Sequence, residues 1–202
     1  MSETYAGTAR GKLFRLTLTS AFAALICVTA PLSVPVGPVP VSLATLSVMF
    51  AGTVLGPLHG TAATAVYLLL GMAGLPVFAG FRGGIGVLAG PTGGYLAGYL
   101  PLCAICGIYA VAAARIRKSG KPRSPGAGRA AGAVLFVAAC VAGTAVLYTL
   151  GTVWFCVVTG SGAKAALSVC VLPFLPGDAL KIAACLALNM LLGRRMNYEL
   201  FG

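Results

Sequence analysis

The chain has 202 residues, 59% of them hydrophobic and 8% charged, and its mean hydropathy is +0.98. A soluble domain carries about a quarter charged residues, so this composition excludes one and predicts an integral membrane protein. The net charge of +11 comes from 14 Lys and Arg against Glu3, Asp178 and Glu199. The basic residues cluster beside the apolar runs, which reads as positive-inside topology and excludes a nucleic-acid patch.

In chain order, residues 1–12 are polar and the apolar run 16–34 predicts a first spanning helix, ended by the Pro-rich VPVGPVPV. A cleaved signal peptide is the rival reading, but the run is long for one and lacks a small-residue cleavage site. Runs 42–55 and 61–72 predict two short spans, with Gly56-Pro57 and His59-Gly60 marking a tight turn between them. Tilt, local thinning or protein-covered ends must accommodate their length.

Glycines crowd residues 71–90. Gly84, Gly86 and Gly90 resemble a dinucleotide fingerprint only in spacing, because no βαβ unit or downstream acid accompanies them. Pro91 suits the first turn of a helix and predicts a fourth span over 91–114. Gly90, Gly94 and Gly98 then recur every four residues and lay a smooth strip along one face. The stretch before Pro91 is poor helix, and such backbone survives at membrane depth only when buried in protein or lining a cavity. It predicts a loop that dips into the bundle from the outer side.

A basic segment over 115–130, broken by Pro122, Pro125 and Gly126, precedes a fifth span over 131–158. A turn over 160–164 leads to a sixth, 167–192, interrupted by LPFLPGD. The expected fold is all-α: an integral membrane six-transmembrane-helix bundle with a glycine-rich outer loop, a single membrane domain over 1–202. Both termini and the basic loop are expected on the cytoplasmic side of the cell membrane, which puts eleven of the fourteen basic residues there.

Arg82, Lys164 and Lys181 are left over. Lys164 falls in a loop and reads as solvated, whereas Arg82 and Lys181 lie in apolar surroundings, where an ionisable group is expensive and becomes a functional candidate. Asp178 stands near the start of the helix that resumes after Pro176, where its carboxylate can cap free N–H groups. Lys181 is one turn on, so the two can also pair and offer a ligand an acceptor and a donor.

The seven cysteines read as small buried packing residues, since Cys103-x-x-Cys106 has no nearby His or second pair to make a metal site. His59 is the only histidine, and no Ser/His/Asp or Cys/His set is available. No catalytic residue, metal or cofactor is expected. The Tyr67, Tyr99, Tyr148 and Trp154 side chains read as belt or bundle residues, with Tyr95 able to border a pocket.

Three strings go further: VPVGPVPVSLATLSVMFAGTVLGP, FAGFRGGIGVLAGPTGGYLAGY and LPFLPGDALK. In this order, over about residues 16–193, they resemble the BioY family of biotin transport proteins, the substrate-binding S components of energy-coupling-factor (ECF) transporters. The resemblance implies a six-helix bundle in the lipid bilayer that binds biotin under outer loops, with no nucleic acid involved. The implied partners are two ATPase subunits and a transmembrane coupling protein. Asp178 and Lys181 match the family's PGD-and-Lys pair and are implied to hold polar groups of biotin. Arg82, Gly83, Gly84 and Gly90 fall in its glycine-rich binding loop, beside Tyr95. Many members carry glycine at the position of Arg82, and Gln at that of Ala44. An S component for another small vitamin, a membrane enzyme acting on a lipid-like substrate, and a channel are the alternatives, the last disfavoured by the lack of polar stripes in several spans.

Overall fold

A computed structural model describes residues 9–35, 39–118 and 125–192 of the protein. Helix dominates: α1 (Ala9–Thr29), α2 (Ala44–Met72), α3 (Ile85–Ala89), α4 (Gly93–Lys118), α5 (Pro125–Thr159), α6 (Ala163–Cys170) and α7 (Leu175–Leu192). Between α1 and α2, the short strands β1 (Ser33–Val34) and β2 (Val41–Ser42) pair antiparallel, Ser33 opposite Ser42.

Among the described residues, four helices can cross a membrane by length and composition, and a fifth crossing is available if α6 and α7, bent by 50° at the break between them, count as one. Their outer surfaces suit lipid: Val28, Val134, Val157 and Leu180 are all exposed. Several hydroxyls within the helices are satisfied locally. Thr17 and Thr19 of α1 donate to the carbonyls of Leu13 and Arg15 at 3.0 and 2.8 Å, which hides the donor without leaving the helix.

The run α2 is two helices joined end to end: it doubles back at Gly56, whose φ of 77° and ψ of 178° are not helical. Pro57 then opens the second half, where its missing N–H costs nothing. Two observations establish the reversal. The Gly60 Cα lies so close to Ala51 and Gly52 that a Cβ there would meet their backbone. Tyr99 of α4 lines one cavity with Thr45 and packs against Tyr67, ring centroids 6.5 Å apart; a straight helix would hold Thr45 and Tyr67 about 33 Å from one another. The turn expected at Gly56-Pro57 is therefore present.

Helix ends depart from the sequence expectation. α1 is already helical at Ala9, α4 starts at Gly93 and extends to Lys118, and α5 begins at Pro125, so only residues 119–124 of the expected basic loop separate the two helices, and these lie outside the described residues. Long basic side chains can keep their charges in water while the backbone stays helical beyond the apolar core, and proline is at home in a helix's first turn. Residues 1–8 and 193–202 also lie outside the described residues.

The glycine strip splits in use. Gly94 faces the Leu150 carbonyl and Trp154 side chain of α5, and Gly98 faces Leu147, so these two bring α4 and α5 together. Gly90 instead ends α3, and its carbonyl accepts from Trp154 Nε1 at 2.9 Å. Ahead of it, residues 73–84 fold on a pinned aromatic. Phe78 is buried under Gly71, edge-on to Tyr67 at 5.7 Å, while its N–H donates to the Arg82 carbonyl. The Gly80 N–H reaches the Pro31 carbonyl at 3.1 Å, which joins this segment to the base of the β1–β2 hairpin. Cys103, Cys106, Cys140, Cys170 and Cys185 are buried as packing residues.

Candidate ligand-binding site

The break before α7 creates the site. Pro173 and Pro176 lack backbone donors, so the chain cannot run as one helix through them, and it turns over residues 171–174 before α7 begins. The Asp178 N–H donates to the Phe174 carbonyl at 2.8 Å, which sets Asp178 in the first turn of α7. Its side chain is buried, and Lys181, also buried, donates from Nζ to Oδ1 at 2.8 Å. The second oxygen, Oδ2, accepts from the Tyr148 hydroxyl of α5. The carboxylate oxygens are thus held by side chains: the pairing expected from the spacing is present, and the capping role suggested for Asp178 gives way to it. Charges this far from water persist only when paired and hydrogen-bonded, and both conditions hold here.

A cavity of about 40 Å³ opens beside the pair. Val39, Pro40, Val41 and Ser42 of the hairpin close one side. The walls are Thr45 of α2, Tyr95 and Tyr99 of α4, and Leu147 and Tyr148 of α5, with Phe174 and the charged pair completing the ring. Each wall has a reason to stand where it does. Ser42 donates to the Ala30 carbonyl and accepts from the Ala44 N–H, both at 2.9 Å, tying the hairpin to the ends of α1 and α2. Tyr95 lies flat against Gly151, where any side chain would strike its ring, and its hydroxyl donates to the Cys170 carbonyl at 3.3 Å. Thr29 and Ser47 share a 2.6 Å hydroxyl contact that closes α1 on α2 just below.

Of the residues singled out from sequence, Asp178, Lys181 and Tyr95 converge on this cavity, whereas Arg82, Gly83, Gly84 and Gly90 do not line it. Arg82 is exposed, and its Nε donates to the Ala79 carbonyl at 3.2 Å. Gly83 sits against the carbonyls of Gly74 and Leu75, too close for a Cβ, and Gly84 has a φ of 92°. Sequence reasoning read Tyr99 and Tyr148 as belt or bundle residues and passed over Thr45 and the hairpin, all of which line the cavity. For Tyr148 a signal existed: Thr144, Tyr148 and Thr152 recur every four residues along α5, an uncommon polar stripe on an apolar helix.

Comparison with known proteins agrees with the motifs. The BioY family model matches residues 4–198. The chain is 39% identical over 171 residues to the biotin transporter BioY of Thermotoga maritima, covering 84% of this chain and 90% of that one. It is 35% identical over 183 residues to the biotin transporter BioY of Rhizobium etli, covering 88% and 93%. Its fold is similar to the crystal structure of an S-component for biotin from an ECF-type ABC transporter, with a TM-score of 0.80, 25% identity, and 96% of this chain and 98% of the other covered. From the motifs, the fold and the matched length together, the chain belongs to the BioY family.

Proposed function

We propose that this protein is a biotin-capturing S component that takes the vitamin from outside the cell membrane and delivers it inward with energy from partner ATPases. The observation that carries the reading is the buried Asp178–Lys181 pair, which faces a cavity closed by the hairpin. A carboxylate and an ammonium 2.8 Å apart present an acceptor beside a donor, the complement of one edge of a cyclic urea, where an N–H adjoins the carbonyl. Asp178 accepts from a ureido N–H, Lys181 donates to the ureido oxygen, and the tyrosine walls cover the fused rings. The cavity has room for a few waters, not for a bicyclic ligand, so the hairpin at Val39–Val41 shifts as biotin enters. Arg82, on the segment joined to the hairpin base, takes the valerate carboxylate, and Gly83, Gly84 and Gly90 act by shaping that segment.

We infer an orientation and a span number that the same geometry supports. The basic starts of α1 (Lys12, Arg15) and the basic end of α4 (Arg115) lie at the opposite end of the bundle from Tyr95 and the hairpin. Positive-inside asymmetry then turns the cavity outward. The reversal inside α2 and the joining of α6 with α7 support six passes with both termini cytoplasmic.

The purified protein is expected to bind one biotin per chain, released chemically unchanged, when titrated calorimetrically in nanodiscs; absence of binding, or conversion of the ligand, defeats the proposal. For the coupling partner, α1 supplies a face: Thr17, Ser20, Ala21 and Ala24 are exposed rather than turned into the bundle. Small residues at this spacing let another helix approach closely. Ala21→Leu with Ala24→Leu is expected to leave biotin affinity within twofold while removing most co-purification of the coupling protein, and retention of the complex would show that another face docks.

A further inference from the structure

We propose that Tyr148 is a positioning residue for biotin, acting through Asp178. The assignment rests on the reading of this cavity as the biotin site and adds a residue to it. Lys181 alone anchors one oxygen of the carboxylate, and it does so from the same helix. The torsion about Cβ–Cγ is broad and soft, so one anchor leaves the plane of the carboxylate poorly defined. The Tyr148 hydroxyl holds the other oxygen and comes from a different helix, α5. Two anchors on two oxygens from two helices define that plane. A carboxylate has about four lone-pair sites, so with two filled about two remain for a ligand.

Tyr148 is itself well placed to do this. It borders the cavity next to Leu147, one turn from Thr144 and Thr152, both buried. Thr144 is occupied locally, donating to the Cys140 carbonyl at 2.8 Å, and Thr152 meets Tyr95 at 3.4 Å. Tyr148 thus supplies the α5 hydroxyl that meets the charged pair. Tyr95 and Tyr99 line the same cavity, but the described contacts of Tyr95 go to Thr152 and Cys170 and the ring of Tyr99 packs on Tyr67.

The test exploits the scarcity of acids in the chain, which has only Glu3, Asp178 and Glu199. The infrared carboxylate stretch of Asp178 can therefore be assigned by its loss in Asp178→Asn. In the full-length, ligand-free protein, Tyr148→Phe is expected to shift and broaden that band, and to weaken biotin binding about tenfold, mostly through faster release, with thermal stability nearly unchanged. Unaltered affinity overturns the proposal. Weaker binding with an unmoved band also overturns it, because Tyr148 would then touch biotin directly instead of orienting Asp178. Failure of the parent protein to bind biotin sinks the transport reading and this one together, whereas binding by the parent separates the two.

Discussion

Asp178→Asn is expected to weaken biotin binding by about 30-fold to several thousand-fold, because truncating one member of a buried, hydrogen-bonded charge pair costs about 2–5 kcal/mol. The substitution preserves shape but gives Lys181 a neutral partner at Oδ1 and turns an acceptor facing the ligand into an ambiguous amide. Lys181→Ala should be as damaging to binding and worse for the fold, since it leaves Asp178 buried with Tyr148 as its remaining described partner. The informative companion is the double variant Asp178→Leu with Lys181→Met. Replacing a buried ion pair by apolar residues of similar size is often neutral or stabilising, so its thermal midpoint should equal or exceed the parent's while biotin binding is absent. Titration calorimetry and thermal unfolding on the same samples decide the matter. A double variant that still binds biotin would show that the pair is structural only.

A second large effect is expected at Gly94, where α4 meets α5 with no room for a Cβ between the Trp154 side chain and the Leu150 carbonyl. One of the two obstacles is backbone, so the helices themselves must separate to admit a side chain. Overpacking typically costs about 1–3 kcal/mol, and Gly94→Leu also pulls at both walls that carry Tyr95 and Tyr148. The expected result is loss of most monodisperse protein after detergent extraction, with biotin binding lost in what remains. Gly86→Ala is the control: nothing lies within 4 Å of a Cβ there, and its yield and melting should match the parent's.

Much of this arrangement can be read from residue types alone, for reasons that are themselves physical. A charge in an apolar run is conspicuous because it is expensive, which is why Asp178 and Lys181 stand out and why they do converge. Gly56-Pro57 announces a reversal because few other pairs tolerate that backbone. Gly94 and Gly98 announce close packing by their period. Tyr148 is different. A tyrosine within a spanning helix serves equally in a bundle seam or in a pocket, and only its neighbour across the helix pair decides between these. The hairpin escapes for a related reason: VPVGPVPV reads as a breaker, and nothing local says that its far side, Val39–Ser42, folds over a cavity. The ends of α4 and α5 are misjudged because charge marks where lipid ends, not where helix ends.

The reversal inside α2 also bears on how the chain enters the bilayer during synthesis. Residues 44–55 make about 18 Å of helix and 57–72 about 24 Å, each short of the ~30 Å hydrocarbon thickness. Neither half is a good insertion unit when it emerges alone from the ribosome. Joined through a turn in which Gly60 rests on Ala51 and Gly52, they can leave the translocon as a preassembled hairpin, each hiding the other's backbone. The close approach that the glycines of this turn permit thus matters to two short helices entering a membrane as well as to the finished bundle.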